Sequence, residues 1–264
     1  MKKFACLLLP TLVLASCGGQ DTPTVTTYTS ISGTVREPGT PDADDTVMPT
    51  TAWTGGAGTV QATVAGAGPQ GTASGALSSG GAFTLTLPAD VTTQALSSDA
   101  FLLPGTAELS CTGTPSISDA AARFAALDVA VQANRQGQVA PSRVSLIGTA
   151  ADPVGLKSES GTFIYADRPV SVTGAQTCTI TEAGQTYAVT SSLNMTLGRG
   201  WNKTTATLAV TATQLSLSLS SGTFPTEEWV YLGGSTLAGA AAPRPAFELE
   251  LPAALNTFRF PGLR

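Results

Sequence analysis

Residues 186–212 read TYAVTSSLNMTLGRGWNKTTATLAVTA, and this stretch decides the fold class. Apolar side chains alternate with hydroxyl and other polar side chains along 186–197 and, nearly as regularly, along 204–212. A period of two is typical of a strand that buries one face. Residues 198–202 (GRGWN) interrupt the pattern with two glycines, as a turn does. The sequence therefore predicts two long strands that pair as a hairpin.

Similar runs occur along most of the chain, separated by turn residues and, in the C-terminal half, spaced by about ten residues. They are ISGTV (31–35), GTVQATVAG (58–66), GTASGALSSGGAFTLTLP (71–88), FLLPGTAELSCTGTP (101–115), residues 124–132, VSLIGTA (144–150), GTFIYAD (161–167), VSVTGAQTCTI (170–180), LSLSL (215–219), WVYLGG (229–234) and AFELELP (246–252). We predict an all-β fold of one or two antiparallel β-sandwich-like units. At most a short helix is expected near 118–123, where Ser118 and Asp119 are suited to cap it.

The N-terminus has the three parts of an export signal. Lys2 and Lys3 give it a positive start, residues 4–14 are apolar, and small residues precede Cys17. The apolar stretch is about eleven residues long, whereas a spanning helix needs about twenty. We therefore interpret residues 1–16 as a signal peptide and not as a transmembrane anchor.

Within this signal, Leu14-Ala15-Ser16-Cys17 resembles the lipobox of bacterial lipoproteins. The resemblance implies cleavage before Cys17, a diacylglyceryl group on its sulfur, and often a further acyl chain, such as palmitate, on the new amino group. Two or three chains hold a protein on a membrane surface without a spanning segment. We expect a location in the cell envelope, facing the periplasm or the exterior, with the outer membrane preferred because Gly18 carries no acidic charge. The alternative is an ordinary secretory signal that releases a soluble protein.

The rest of the chain divides by composition and pattern. Residues 17–30 are rich in glycine, proline, serine and threonine, which is typical of a tether. Residues 31–115 and 144–264 are predicted as two β-rich units, the second a sandwich or barrel. A helical turn and a strand within 116–143 would connect them.

Two short motifs in the first unit carry a second resemblance. GTV (33–35) and GGAFTLTLP (80–88) are similar to elements of the transthyretin-like, carboxypeptidase regulatory-like β-sandwich. The resemblance covers about residues 30–90 and departs from the family in the long segment 37–57, which leaves the strand count open. It implies an accessory or adhesive module rather than an active site.

Cysteine usage agrees with export. Once Cys6 is removed with the signal and Cys17 is assigned to lipid, Cys111 and Cys178 remain. In an exported chain such a pair most simply forms a disulfide. It would close a loop of about 67 residues and contribute about 4 kcal/mol in the chain-entropy model. Two free buried thiols are the alternative.

Several kinds of chemistry are absent from the sequence. The chain has no histidine, which removes histidine-activated nucleophiles, histidine-ligated zinc and the commonest general base. It has no phosphate-binding loop motif, so no cofactor is predicted. The net charge is −5 and no basic patch occurs, which disfavours a nucleic acid partner. Charged residues are only 12% of the chain, so hydroxyl and amide groups carry much of its polarity.

Three groups of residues keep other functions open. Trp201, at the predicted turn, is the best candidate for an exposed aromatic that contacts a sugar ligand, but simple packing over the hairpin is the preferred interpretation. Asp42, Asp44 and Asp45 are candidates for calcium, but a solvated acidic loop is preferred. A hydrolase that uses paired carboxylates would draw on the following residues, for which solvated surface charges are the preferred interpretation: Glu227, Glu228, Glu248 and Glu250.

The sequence thus favours a membrane-anchored envelope lipoprotein whose β-modules act in binding, adhesion or envelope structure and not in catalysis. Its partners would be the membrane, through Cys17, and a protein or polysaccharide that the sequence does not identify. A carbohydrate- or polymer-binding module is the alternative, and it calls for exposed coplanar aromatic side chains. A histidine-free hydrolase is the least favoured reading.

Overall fold

The computed structural model describes residues 25–64, 71–89, 91–95, 109–182 and 185–233. These ranges contain no α-helix, and the predicted all-β fold is confirmed. The strands form one sixteen-stranded sheet. The sheet is mixed, because two of the described strand pairs run parallel. No helix in this part of the chain is long and apolar enough to cross a membrane.

The strands are numbered in chain order. Their bounds are β1 Ser30–Pro38, β2 Thr50–Ala52, β3 Gly58–Val64, β4 Thr72–Leu77, β5 Ala82–Thr86, β6 Gln94–Ala95, β7 Leu109–Thr112, β8 Ser116–Ile117, β9 Arg123–Gln132, β10 Gln136–Gly148, β11 Pro153–Ala166, β12 Val170–Glu182, β13 Gln185–Leu197, β14 Gly200–Thr211, β15 Gln214–Ser221 and β16 Glu228–Gly233.

A subset of the strands closes into a ring. The hydrogen-bonded order is β3, β4, β5, β1, β16, β10, β9 and back to β3. Alternate side chains point inwards, as a strand period of two requires. In β3, for example, Val60, Ala62 and Val64 have 0% exposure, and the residues between them are partly exposed. The main apolar core fills this ring and extends to Phe163 of β11 and Trp201 of β14.

The ring closes between strands from opposite ends of the described chain. β1 and β16 pair in parallel, with Val35 opposite Trp229. The ring of Phe83 meets Trp229 edge to face at a centroid distance of 5.3 Å. A Cβ atom on Gly33 would collide with the indole of Trp229, so only glycine fits there. The sheet therefore runs without a break across the division between the predicted units 31–115 and 144–264.

The second part of the sheet consists of long strands. From β10 the order continues through β11, β14, β15, β13 and β12, and β7 and β8 pair with the outer edge of β12. β11 and β14 are paired along the whole of Gly155–Ala166. A second apolar core lies at one end of these strands, where Val172 and Met195 have 0% exposure. Burial of one face of each strand explains the alternation in the sequence.

The predicted hairpin between β13 and β14 is wrong. Both strands are present, but β15 lies between them, parallel to β13 and antiparallel to β14. The side chain of Asn202 holds the turn, accepting from the Gly198 amide at 2.8 Å and donating to the Gly198 carbonyl at 2.9 Å. Ser221 Oγ then accepts from the Thr196 amide at 2.8 Å and donates to the Thr196 carbonyl at 2.9 Å, which uses backbone groups that a hairpin would pair.

At most a short helix is expected near 118–123, and the structure has a single turn there and no helix. The Ala122 amide donates to the Asp119 carbonyl at 3.1 Å, which makes one hydrogen-bonded turn. The Asp119 carboxylate accepts from the Ala121 amide at 2.8 Å. Helix growth stops there because Ala122 is buried in the second core and the Arg123 amide donates to Asp167 at 2.8 Å. The next residues enter β9, which confirms the strand predicted at 124–132.

Candidate functional site

The predicted disulfide between Cys111 and Cys178 is confirmed. The two cysteines are directly opposite each other on β7 and β12, and their Cα atoms are 4.0 Å apart. Cys178 has 0% exposure. The bond fastens the short strand β7 to the edge of the long sheet, so its role is structural.

Trp201 does not provide an exposed ligand contact, and that prediction is wrong. It is 3% exposed, and its ring meets Tyr165 edge to face at 5.4 Å. Its Nε1 donates to the Pro88 carbonyl at 2.9 Å. Trp53 and Trp229, the other tryptophans, are 5% and 4% exposed. Sugar binding by tryptophan stacking therefore has no platform on this protein.

The adjacent carboxylates Glu227 and Glu228 do not form a pair. The Glu228 carboxylate accepts from Arg36 Nε at 3.2 Å and from Thr50 Oγ1 at 2.7 Å. Glu227 Oε1 lies 3.7 Å from Lys203 Nζ instead. Each carboxylate thus has its own cation, and the geometry of paired-carboxylate hydrolysis is not assembled from these two. Glu248 and Glu250 lie outside the described residues.

The acidic loop at Asp42, Asp44 and Asp45 does not converge on a metal position. The Asp45 carboxylate accepts from the Asp42 amide at 2.9 Å, which closes a local turn. Across the described ranges, no cluster of three or more histidine, cysteine, aspartate or glutamate side chains is positioned to hold a metal ion. The arrangement fits the preferred interpretation of a solvated acidic loop.

Two other carboxylates have shifted pKa values in opposite directions. The Asp167 carboxylate accepts from the Arg123 amide and from the Arg168 guanidinium, and these hydrogen bonds lower the pKa of Asp167. The same contact raises the pKa of Arg168. Desolvation raises the pKa of Asp128 on β9, although this residue keeps an exposed surface. Both shifts make the stability of the fold depend on pH.

One exposed sheet face is built of hydroxyl and amide side chains. On β12, Thr173, Thr177 and Thr179 point outwards, while Gln176 and Cys178 between them are buried. The pairing register brings outward residues of the next strands into the same rows. We call this surface the hydroxyl face, and it consists of Thr173, Thr177, Thr179, Thr190, Ser192, Asn194, Thr207, Thr211, Gln214, Ser216, Ser218 and Ser220.

The hydroxyl face combines two properties. Most of its side-chain hydroxyls, such as those of Thr190 and Ser218, have no hydrogen-bond partner in the described structure and are free to bond to water or to a ligand. None of its members is charged, and charged side chains lie at its borders, at Lys203 of β14 and on β10 and β11. There Glu159 binds Lys157 at 2.9 Å and Arg143 at 3.2 Å. The face is thus a neutral array of hydrogen-bond donors and acceptors.

A cleft lies at one end of this face, beside Lys203. Its volume is about 230 Å³, and it is lined by Val25, Thr26, Thr196, Asn202, Lys203, Ser221 and Gly222. Thr196 follows Asn194 by two positions on β13 and therefore lies on the same side of the sheet. The cleft continues the hydroxyl face towards the N-terminal segment.

The N-terminal segment contributes to this cleft because it packs against the sheet. The Tyr28 amide donates to the Trp201 carbonyl at 2.9 Å, and the Tyr28 ring meets Phe163 at 5.6 Å. Val25 and Thr27 approach so closely that a Cβ on Gly198 would be 3.1–3.2 Å from them. Of the predicted tether 17–30, residues from Val25 onwards thus contact the folded body. Cys17 lies outside the described residues.

Lys203 is held between aromatic rings. Its Nζ lies 4.7 Å from the centroid of Phe224 and 5.3 Å from that of Tyr28. Its side chain is 19% exposed, whereas that of its ionic partner Glu227 is 85% exposed. A cation over aromatic faces is stabilised by about 0.5–1 kcal/mol at partly exposed sites. The ammonium group is therefore fixed in position while its counter-charge is solvated.

Neither the hydroxyl face nor Lys203 was among the sites predicted from sequence. Serine or threonine at most alternate positions of 170–180, 186–197 and 215–219 is a visible signal for the face. The position of Lys203 beside a cleft had no comparable signal, because the cleft depends on Val25 and Thr26 folding back over β14. No protein-family model, no curated protein and no solved structure matches the chain.

Proposed function

We propose that the protein is a lipid-anchored lipoprotein of the bacterial envelope that binds a neutral, hydroxyl-rich polymer, such as a polysaccharide, and carries out no catalysis. The observation that carries the binding role is the hydroxyl face, a charge-free array of mostly unpaired hydroxyls on adjacent strands. The lipobox-like sequence ending at Cys17 supports the anchor.

The dimensions of the face suit an extended ligand. Four strands about 4.8 Å apart give a width of about 14 Å, and seven residues at about 3.3 Å give a length of about 20 Å. Rows of hydroxyls recur at the strand spacing, so a polymer with repeated hydroxyl groups can form several hydrogen bonds at once. Each bond is weak in water, on the order of 1 kcal/mol, and the number of simultaneous contacts would determine retention.

The absence of charge favours a neutral occupant. A polyanion or polycation gains affinity from opposite charges, and the members of the hydroxyl face supply none. Stacking on tryptophan is excluded as the mode of recognition because all three tryptophans are buried. Recognition would therefore rest on hydrogen bonds from serine and threonine side chains, which both donate and accept as sugar hydroxyls do.

The position of the anchor is compatible with this role. Val25 comes eight positions after Cys17, a distance of at most about 29 Å when the chain is fully extended. A lipid on Cys17 would keep the folded body close to the membrane surface, within reach of polymers of the cell wall or cell surface. Replacement of Cys17 by serine should move the protein from the membrane fraction to the soluble fraction. An unchanged distribution would contradict the anchor while leaving the binding role open.

Retention on insoluble polysaccharides tests the binding role. The full-length protein in detergent would be incubated with microcrystalline cellulose and with chitin, and the bound fraction measured. The double variant Thr190→Glu/Ser192→Glu places two charges in the middle of the face and should abolish retention. The matched control Thr84→Glu/Thr86→Glu changes two exposed threonines at the same spacing on β5 and should bind as wild type does. Equal retention of both variants, or no retention of wild type on either matrix, would refute the proposal.

A further inference from the structure

Lys203 differs from the other lysine of the described chain in its surroundings. Lys157 lies on β11, and its side chain is 40% exposed. Its Nζ is 2.9 Å from Glu159, within hydrogen-bond distance. Lys203 Nζ is 3.7 Å from Glu227, beyond the usual length of a hydrogen bond. An ammonium group has three donors. In the described structure no acceptor lies within hydrogen-bond distance of Lys203 Nζ. The ammonium group borders a cleft.

The lining of the cleft adds neutral hydrogen-bonding groups. The hydroxyls of Thr26 and Thr196 form no hydrogen bond with the described residues, so both can donate to a ligand. The Asn202 side chain and Ser221 Oγ already form hydrogen bonds with backbone groups. The available groups are therefore one cation and hydroxyl donors, which is the chemistry that binds an oxyanion.

The size of the cleft limits what it holds. Sites for drug-sized ligands are about 300–1,000 Å³, and this cleft is smaller, at about 230 Å³. It has room for a carboxylate or phosphate group together with a small part of the molecule that carries it. A longer ligand would extend from the cleft over Asn194 and Ser220 of the hydroxyl face.

Glu227 is the negative group that such a ligand would displace. Its carboxylate is 85% exposed and, among the described residues, contacts only Lys203, at 3.7 Å. Exposed ion pairs of this kind contribute little to stability, so the carboxylate can move into solvent at little cost. The rings of Tyr28 and Phe224 keep the Lys203 ammonium in place meanwhile.

We propose that the cleft beside Lys203 is a binding site for the carboxylate or phosphate group of a small ligand. Atoms of the ligand oxyanion accept hydrogen bonds from Lys203 Nζ and from the Thr196 and Thr26 hydroxyls. The site requires neither the lipid anchor nor binding of a polymer to the hydroxyl face.

Saturation-transfer NMR with three related sugars tests the proposal on the full-length protein in detergent. Glucuronate presents a carboxylate, glucose 6-phosphate presents a phosphate, and glucose presents neither. We expect at least one of the charged sugars to bind with a dissociation constant on the order of millimolar, and glucose to bind at least tenfold more weakly. The two charged sugars distinguish a carboxylate from a phosphate as the preferred group.

Three variants complete the test. Lys203→Met keeps the apolar stem between the rings and should weaken binding of the charged sugar at least tenfold. Lys157→Met removes the other lysine and should leave binding unchanged. Glu227→Gln removes the competing carboxylate and should strengthen binding up to about fivefold, which keeps the proposal testable even if Lys203→Met fails to fold.

Equal binding of the charged sugar to wild type and to a folded Lys203→Met variant would overturn the proposal. Failure of both wild type and Glu227→Gln to bind either charged sugar at about 50 mM, far above the expected dissociation constant, would do the same. The double variant Thr190→Glu/Ser192→Glu lies away from the cleft. It should lose polysaccharide retention while keeping the charged sugar, which separates failure of this site from failure of the hydroxyl face.

Discussion

The indole Nε1 of Trp201 donates a 2.9 Å hydrogen bond to the carbonyl of Pro88, 113 residues away in the sequence. Trp201 is 3% exposed and belongs to the main core. The bond joins the second residue of the long strand β14 to the segment that follows β5. One side chain therefore connects the two parts of the sheet.

Replacement of Trp201 by phenylalanine should destabilise the fold. The variant keeps an aromatic ring but loses the hydrogen bond and part of the buried volume, which together cost about 2 kcal/mol. Urea denaturation followed by circular dichroism measures the change in unfolding free energy. The control Tyr231→Phe removes an exposed 2.9 Å hydrogen bond to the Gln136 carbonyl and should cost less than about 1 kcal/mol. Equal losses in the two variants would contradict the role of Trp201.

A charged side chain in place of Asn202 should destabilise the fold. Its Nδ2 donates to the carbonyls of Gly198, Gly200 and Ile164, and it is 1% exposed. Asn202→Asp keeps the shape but turns a buried carboxylate towards these carbonyls, which should cost about 3 kcal/mol at pH 7. Asn194→Asp makes the same chemical change at an exposed position of β13 and should be nearly neutral. Comparable denaturation midpoints for the two variants would show that Asn202 does not hold the turn.

Asp167 should stabilise the fold at neutral pH and lose this effect in acid. Hydrogen bonds from the Arg123 amide and the Arg168 side chain lower its pKa below the ordinary 3.8. A lowered pKa in the folded state means that the contribution is present above the unfolded pKa and is lost as the pH falls through the folded pKa. Asp167→Asn should therefore lower the melting temperature at pH 7, and the difference should shrink below pH 3.8. A difference independent of pH would contradict this assignment.

Asp128 should show the opposite dependence on pH. Desolvation raises its pKa above 3.8. The folded state then holds its proton more tightly, so the favourable contribution is complete at low pH and is lost as the pH rises through the folded pKa. Asp128→Asn should raise the melting temperature at pH 7 relative to wild type, and the two proteins should converge in acid. Thermal melts across this pH range measure the effect, and a less stable variant at pH 7 would rule it out.

The sequence was sufficient to predict local structure. Alternation of apolar and polar residues predicts the strands 124–132 and 170–180, and the structure contains β9 and β12 there. The disulfide between Cys111 and Cys178 follows from counting cysteines under the expectation that the chain is exported. These features depend on near neighbours or on composition, which a sequence displays directly.

The order of the strands could not be predicted in the same way. Alternation shows that β13 and β14 exist, but the insertion of β15 between them depends on the bonds of Asn202 and Ser221. Burial of Trp201 depends on Pro88, and the Lys203 cleft depends on Val25 and Thr26. Each of these arrangements joins residues that are distant in sequence, and no periodicity within one segment records them.

The closure of the ring by β16 also governs the order in which the chain can fold. Arg36 of β1 and Glu228 of β16 form a hydrogen-bonded ion pair although 192 residues separate them. Contacts of such long range are slow to form because a large loop must be ordered first. During synthesis from the N-terminus, one edge of β1 stays without its partner until almost the whole described chain has emerged. A premature stop anywhere before β16 would therefore release a product with an open sheet edge, prone to aggregate with other copies.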